Sequence, residues 1–174
     1  VIAVFANVYS SILVRPVPNV ISSNFEQPAN ALLPNWINEF GNIIDVKDTY
    51  STAIEIALGA SIQNIVTKNE EDAKVLIDYL KAGKLGRATF LPMTAVKPRS
   101  LSASDRKFLT SKGCLGIASE IISYPSEYSN VIESLLGSTV IVDTLENAVQ
   151  IARDSGYSFK MVTLDGDVLS PQGS

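Results

Sequence analysis

The apolar positions of the chain follow two patterns, one typical of amphipathic helices and one typical of buried strands. Residues 50–59, YSTAIEIALG, place apolar side chains three and four positions apart, which predicts a helix with one buried face. Asp48 or Thr49 is expected to cap the start of this helix, and Gly59 to end it in the left-handed conformation. The following residues 62–67, IQNIVT, predict a strand that is covered on both faces.

The same helical phrase returns later in the chain. Residues 128–137, YSNVIESLLG, match YSTAIEIALG at six of ten positions, 78 residues downstream, with Ser126 as the expected cap and Gly137 as the terminal glycine. Each copy is followed by a strand, a second helix and another strand. The second helices are predicted to begin at Asn69 and near Thr144, and the strands cover 62–67, 87–92, 138–143 and 159–164. The sequence therefore predicts an α/β fold of two pseudo-repeated lobes packed as one domain.

The segment between the copies differs from both in composition. It is rich in Pro, Ser and Lys, and we expect a short helix at 103–110. GCLGIASEII, from Gly113, predicts a strand in which Gly113 and Gly116 indicate either a bulge or turn, or a close approach by another backbone. Near the C-terminus, LDGDVL predicts a hairpin. The predicted order is a first lobe at about 41–92, a connection at 93–112 and a second lobe at about 113–174.

Composition narrows the class of protein. The chain of 174 residues has no histidine and one cysteine, Cys114, so it lacks the commonest general base and cannot form an internal disulfide. Residues 1–14 are apolar but too short to span a bilayer. We therefore expect a cytoplasmic protein without a membrane segment, and the missing histidine argues against an enzyme.

A net charge of −4 conceals one basic zone. Eight of the fourteen basic residues lie between positions 81 and 112, opposed only by Asp105. Such a zone attracts polyanions, although an ordinary solvated loop and helix end would have the same composition. The eight are Lys81, Lys84, Arg87, Lys97, Arg99, Arg106, Lys107 and Lys112.

Several longer motifs together resemble one family. LGRATFLP at 85–92, QNIV followed by EEDA, and TLDGDVLSPQGS at 163–174 occur in an order and spacing similar to the hinge domain of bacterial structural maintenance of chromosomes (SMC) proteins. The resemblance covers about residues 40–174. The first forty residues do not match, and their three prolines from Pro16 to Pro28 oppose the continuous coiled-coil helix expected there. The chain lacks an initiator Met and stops abruptly at SPQGS, so we expect a domain cut from a longer protein. The resemblance also implies a further glycine-rich turn after Ser174 that takes part in dimer contacts.

The resemblance implies a non-catalytic homodimer, without a cofactor, that joins two coiled-coil arms and contacts DNA without sequence specificity. ATP hydrolysis would belong to distant head domains. The implied dimer contact is Gly113, Gly116, Ile117, Gly173 and Ser174. The implied DNA contacts are Lys81, Lys84, Lys97, Arg99, Arg106, Lys107 and Lys112, while Arg87 lies beside a predicted buried strand and has a structural alternative.

Two other classes of protein remain open. A duplicated α/β unit is compatible with a ligand-binding regulatory module, although no glycine-rich strand-to-helix loop indicates a nucleotide. A small enzyme has less support, because GKLGRAT at 83–89 lacks the spacing of a phosphate-binding loop and Cys114 has no histidine to activate it. Asp165 and Asp167 flank a turn glycine, which favours hairpin chemistry over a metal site.

Overall fold

A computed structural model describes residues 38–84 and 86–171, so predictions for residues 1–37, Gly173 and Ser174 lie outside the described residues. The strands are β1 (Asn38–Glu39), β2 (Ile65–Thr67), β3 (Phe90–Pro92), β4 (Cys114–Ile117), β5 (Thr139–Val142), β6 (Lys160–Thr163) and β7 (Val168–Leu169). The α-helices are α1 (Phe40–Ile43), α2 (Asp48–Leu58), α3 (Glu70–Gly83), α4 (Ala118–Ile121), α5 (Ser129–Leu136) and α6 (Leu145–Ser155). Three 3-10 helices cover Gly59–Gln63, Arg106–Thr110 and Ser126–Tyr128.

The predicted α/β order is present in both halves: α2, β2, α3 and β3, then α5, β5, α6 and β6. The described residues form two compact units. One contains 38–40 and 63–95, and the other contains 41–62 and 96–171. The two units are not coextensive with the predicted lobes, because 41–62 lies in the second unit.

The first unit is built on a three-stranded sheet of order β1-β2-β3. β2 pairs antiparallel with β1 and parallel with β3, and α3 makes the crossover between the parallel strands. All three side chains of β2 are buried, as expected for a central strand covered on both faces. Helix α3 begins directly after Asn69, close to the predicted start, and the Oδ1 of Asn69 caps it by accepting a hydrogen bond from the Asp72 N–H at 2.9 Å.

The second unit is built on a four-stranded sheet of order β4-β5-β6-β7. β5 and β6 are parallel and joined by α6, whereas β4 and β7 run antiparallel to their neighbours. The predicted hairpin is confirmed, with Gly166 at φ 96° in the turn between β6 and β7. The core combines strand and helix residues that include Ile117, Val140, Val142, Ile151, Phe159 and Met161.

Helix α2 packs in the second unit, although the repeat assigns it to the first lobe. The ammonium group of Lys160, on β6, donates a hydrogen bond of 2.9 Å to the carbonyl of Ala57 at the end of α2. A Cβ built on Gly166 would lie 3.4 Å from the Ile56 side chain, so the β6–β7 turn also contacts this helix. Burial lowers the pKa of the Lys160 ammonium.

The predicted caps of the repeated helices are wrong. The N-cap of α2 is Lys47, which makes no side-chain cap, rather than Asp48 or Thr49. Ser126 opens a 3-10 helix instead, and Tyr128 precedes α5. By contrast, α6 begins near Thr144 as expected, and the Thr144 hydroxyl caps it by accepting from the Asn147 N–H at 3.4 Å.

The two helix-ending glycines of the repeat differ from the predicted left-handed conformation. Gly59 has φ 53° and ψ −130°, a region that is open to glycine but is not left-handed helical. Gly137 has φ −69° and stays right-handed. A Cβ on Gly137 would collide with the carbonyl oxygen of Arg99 and lie 2.6 Å from that of Glu133, so close backbone packing explains this glycine.

The segments around the second sheet are also shorter than predicted. The strand that begins after Gly113 ends at Ile117, and the next four residues form α4, where Ala118 and Ser119 are buried. The helix expected at 103–110 is a 3-10 helix at Arg106–Thr110. Packing of α4 against α5 and β5 therefore prevails over the β propensity of the sequence.

Candidate interaction surfaces

Gly113 lies directly before β4 and is held against its own unit. It has φ 81°, and a Cβ there would collide with the Asp143 carboxylate and lie 2.7 Å from the Cβ of Asn147. The Gly113 carbonyl also accepts a hydrogen bond of 2.9 Å from the Asp143 N–H. Packing within the second unit is therefore sufficient to require glycine at this position.

The Asp143 carboxylate organises the residues that face Gly113. It accepts hydrogen bonds from the Asn147 side-chain amide at 2.8 Å and from the Thr144 N–H at 2.6 Å. These contacts, the Asn147 amide first, hold the pKa of the Asp143 carboxyl below its usual value. The start of β4 is thereby fixed against the N-terminus of α6.

Gly116 differs from Gly113 because nothing would collide with a Cβ built on it. It lies at a register shift between Cys114 and Gly116, which is a β-bulge, and it has φ 135°. The nearest atoms to a built Cβ are those of Ile121, at an ordinary 3.7 Å. The requirement for glycine here is therefore conformational, because residues with side chains rarely adopt a φ of 135°.

β4 is an edge strand of the four-stranded sheet, and in the described part of the chain its outer side pairs with no other strand. Its predicted contact residue Ile117 is 1% exposed and points into the core, so only its backbone reaches the edge. Leu115, by contrast, is 38% exposed. The sequence analysis missed Leu115, although its position between two glycines in a strand was a usable signal.

The seven predicted DNA-contacting cations are all exposed, and so is Arg87. Lys81, Lys84 and Arg87 belong to the first unit, and the others belong to the second. Among the residues that the structure describes, the one ion pair joins Lys74 and Asp78, so none of the predicted cations forms an ion pair with a described carboxylate. The Lys107 ammonium instead lies over the Phe108 ring, 4.9 Å from its centroid.

The predicted connection is fixed to the second unit by the buried side chain of Leu101 and by the backbone of Arg99. Leu101 is 5% exposed and belongs to the core. The Arg99 N–H donates to the Glu133 carbonyl at 3.3 Å, and the Arg99 carbonyl packs against Gly137. The side chains of Lys97 and Arg99 are therefore displayed from an ordered backbone.

Asp105, the single acidic residue of the basic zone, makes a further anchor. Its carboxylate accepts hydrogen bonds of 2.6 Å from the hydroxyls of Ser102 and Ser158, and these two donors, Ser102 first, lower the pKa of the Asp105 carboxyl. The rings of Phe108 and Phe159 pack beside this pair with centroids 6.2 Å apart. The 3-10 helix with Arg106 and Lys107 is thus joined to the segment before β6.

The residues that an enzyme would use are engaged in structural contacts. Asp167 accepts from the Thr163 hydroxyl at 3.0 Å within the β6–β7 hairpin. Burial raises the pKa of the Cys114 thiol, which makes it a weaker nucleophile at neutral pH. Within residues 38–84 and 86–171 no three acidic or cysteine side chains converge as a metal site.

A groove runs along α3 and the edge strand β3 in the first unit. Its lining is mixed, because apolar side chains such as Ile77 and Phe90 are flanked by Glu70, Lys74 and Asp78. Such a lining indicates no particular ligand chemistry.

Comparison with known proteins assigns this arrangement to a family. Residues 34–152 match the model described as "SMC proteins Flexible Hinge Domain". The chain belongs to the SMC hinge family. The hinge domain is also 46% identical to the chromosome partition protein Smc of Clostridium kluyveri and 42% identical to that of Bacillus subtilis, over 134 and 133 residues. These alignments cover 77% and 76% of the chain but 11% of each relative, so the hinge domain spans about a tenth of their length.

Solved structures agree with the sequence relatives. The hinge domain superposes on the crystal structure of an asymmetric dimer of the Geobacillus stearothermophilus SMC hinge domain with a TM-score of 0.77 and 42% identity, covering 83% of this chain and 57% of that one. For the Pyrococcus furiosus SMC hinge the TM-score is 0.66 at 34% identity, with coverages of 80% and 71%. In the described residues of the hinge domain, no helix is long and apolar enough to cross a bilayer.

Proposed function

We propose that this hinge domain is the homodimerisation module of a chromosome-partitioning ATPase, itself non-catalytic, and that it joins two coiled-coil arms in a cytoplasmic, nucleoid-associated protein. The observation that carries the proposal is the bulged edge strand β4, with Gly116 at φ 135°, in a chain of the SMC hinge family. Supporting it, the Geobacillus relative with 42% identity was crystallised as a dimer.

The physical basis of the proposed contact is an unpaired strand edge. Backbone N–H and C=O groups on such an edge bind a partner strand, and a glycine lets the two backbones approach closely. Leu115 adds an exposed apolar side chain at the same place. The proposed dimer contact comprises Gly116, the backbone of Ile117, and Gly113, which positions the start of β4, together with Gly173 and Ser174.

Leu115→Glu tests this contact without disturbing the monomer, because the side chain is already 38% exposed. We expect the wild-type chain to sediment as a dimer and the variant as a monomer, since a buried, unpaired carboxylate is strongly unfavourable at an interface. Val75→Glu, at a 49% exposed site on α3, is the matched control and should remain dimeric. A dimer that tolerates Leu115→Glu would place the interface elsewhere.

We further propose that the hinge contacts DNA through the exposed cations of the basic zone. Lys97, Arg99, Arg106, Lys107 and Lys112 are exposed on the anchored connection, and Lys81 and Lys84 supply charge in the first unit. Phosphate binding of this kind is independent of sequence and weakens steeply with salt.

Reversal of the Lys97 and Arg99 charges to Glu should weaken binding of a 30-bp duplex at least tenfold at low salt and flatten its salt dependence. The same reversal at Lys47 and Lys68, two exposed lysines outside the basic zone, is the control. An equal loss of duplex affinity in both variants would mean that only the total charge of the domain matters. It would contradict the proposal that the connection binds DNA.

A further inference from the structure

Lys160 is the one described lysine whose side chain is partly buried, because the other eight are exposed. It opens β6 opposite the buried Thr139 of β5, and its ammonium donates a hydrogen bond of 2.9 Å to the carbonyl of Ala57. Lysines away from water usually pair with a carboxylate, but no carboxylate in the described part of the chain forms an ion pair with this one. The amine is therefore held by a neutral carbonyl.

The Ala57 carbonyl belongs to the end of α2. An α-helix leaves its last four carbonyls without a partner in a following turn, and α2 ends at Leu58. The Gly59 N–H donates to the Glu55 carbonyl, and Lys160 supplies a side-chain donor to Ala57. Its positive charge is also attracted by the partial negative charge of the helix C-terminus. Lys160 thus fastens the end of α2 to β6.

The same position favours a reactive amine. Removal from water disfavours the charged form of a lysine, and a carbonyl holds the extra proton less strongly than a carboxylate does. Burial accordingly lowers the pKa of the Lys160 ammonium in spite of the helix dipole. The neutral amine is the form that attacks an activated acyl group, and its lone pair stays available when one N–H is donated to Ala57.

We propose that Lys160 is an acetylation site for an activated acetyl donor of the acyl phosphate class, and that acetylation releases the end of α2 from β6. The amine nitrogen attacks the carbonyl carbon, a C–N bond forms and the C–O bond to phosphate breaks. Inorganic phosphate leaves, and the amine proton passes to water. The product is a neutral amide, so the attraction to the helix end is lost, and the added acetyl group overpacks a partly buried position.

Treatment of the wild-type protein with acetyl phosphate tests the site, with the modified lysines quantified by mass spectrometry. Lys74 is the internal control, because its side chain is 80% exposed and its ammonium pairs with Asp78 at 3.5 Å. We expect the initial rate of acetylation at Lys160 to be at least about threefold higher than at Lys74, since the reaction follows the neutral fraction of the amine. A rate at Lys160 no higher than at Lys74 would overturn the proposal.

Lys160→Arg separates this site from the other lysines. Arginine keeps a positive charge and N–H donors for the Ala57 carbonyl, but its guanidinium stays protonated and does not take up the acetyl group. After the same treatment, the amides of residues 55–59 should exchange with solvent about tenfold faster than before in the wild type and at an unchanged rate in the variant. Lys160→Gln, which has a neutral side chain, should exchange like the acetylated wild type without any treatment.

Two results would contradict the release of α2. Acetylated wild-type protein whose residues 55–59 exchange as slowly as before would show that the modification leaves the helix end in place. Equal acceleration in the wild type and in Lys160→Arg would assign the effect to the exposed lysines instead.

Discussion

At the scale of single residues, glycines in this domain serve two different physical needs. Gly59 adopts a backbone conformation that side-chain-bearing residues avoid, with nothing within 4 Å of a built Cβ. Gly137 instead has an ordinary φ of −69° and lies against other groups of its own unit, and Gly113 combines a φ of 81° with such close contacts. The sequence shows where the glycines are, but it does not show whether a positive φ or a close packing contact requires each of them. The contacting groups are distant in the chain.

Gly137→Ala and Gly59→Ala should therefore destabilise the domain in different ways. We expect a loss of about 2–3 kcal/mol for Gly137→Ala from overpacking and about 1–2 kcal/mol for Gly59→Ala from backbone strain, measured by urea unfolding. Only Gly137→Ala should speed tryptic cleavage after Arg99, because the added methyl group displaces the Arg99 carbonyl. Equal cleavage rates in the two variants would contradict this explanation of Gly137.

The pH dependence of the stability of an Asp105→Asn variant tests whether Asp105 anchors the connection to the second unit. The folded-state pKa of Asp105 is lowered by Ser102 and Ser158, so its stabilising contribution is present above the unfolded pKa of about 3.9 and is lost as pH falls through the folded pKa. Wild-type protein should be more stable than the variant at pH 7, with the gap closing below about pH 4. A difference in urea midpoint between the wild type and the variant that stays constant from pH 3 to pH 7 would contradict this role of Asp105.

At the scale of elements, periodicity predicts which segments form helices better than it predicts where they begin. The helices at 48–58, 70–83, 129–136 and 145–155 follow from apolar spacing alone. The helices expected to begin at Asn69 and near Thr144 do so and carry side-chain caps there, but α2 begins without a side-chain cap. The residues 118–121 form a helix inside a β-prone sequence, since the packing that decides between the two is not visible locally.

The difference between capped and uncapped helix starts has a measurable consequence. Asn69→Ala should lower the free energy of unfolding by about 1 kcal/mol, because the Asp72 N–H loses its acceptor. Lys47→Asn should raise it by up to about 1 kcal/mol, since it adds a cap and removes a positive charge from the N-terminus of α2. A Lys47→Asn variant less stable than the wild type would show that Lys47 has another role.

At the scale of the whole molecule, the duplicated order along the chain differs from the division into compact units. The apolar stripe of α2 indicates that the helix is covered, but not by which sheet. The Lys160 hydrogen bond to Ala57 and the packing of Gly166 near Ile56 place it in the second unit. The exposure of Leu115 on the edge strand β4, by contrast, is visible only in the folded structure, because it depends on which strands pair.

Hydrogen exchange tests to which unit α2 belongs. Met161→Ala removes a fully buried side chain from β6 and should destabilise the second unit by about 2–5 kcal/mol. The amides of α2 should lose protection together with those of β5 and β6, because they open as one cooperative unit. Protection of α2 that instead follows α3 in this variant would contradict the assignment.

The edge of β4 is the proposed contact between two copies of this chain. It is tested most directly by amide exchange of residues 114–117 in the wild-type dimer and in a monomer obtained by dilution. We predict that amides on the outer side of β4 are protected in the dimer and exchange rapidly in the monomer, while those of β5 change little. Exchange at residues 114–117 that is the same in dimer and monomer would contradict the account.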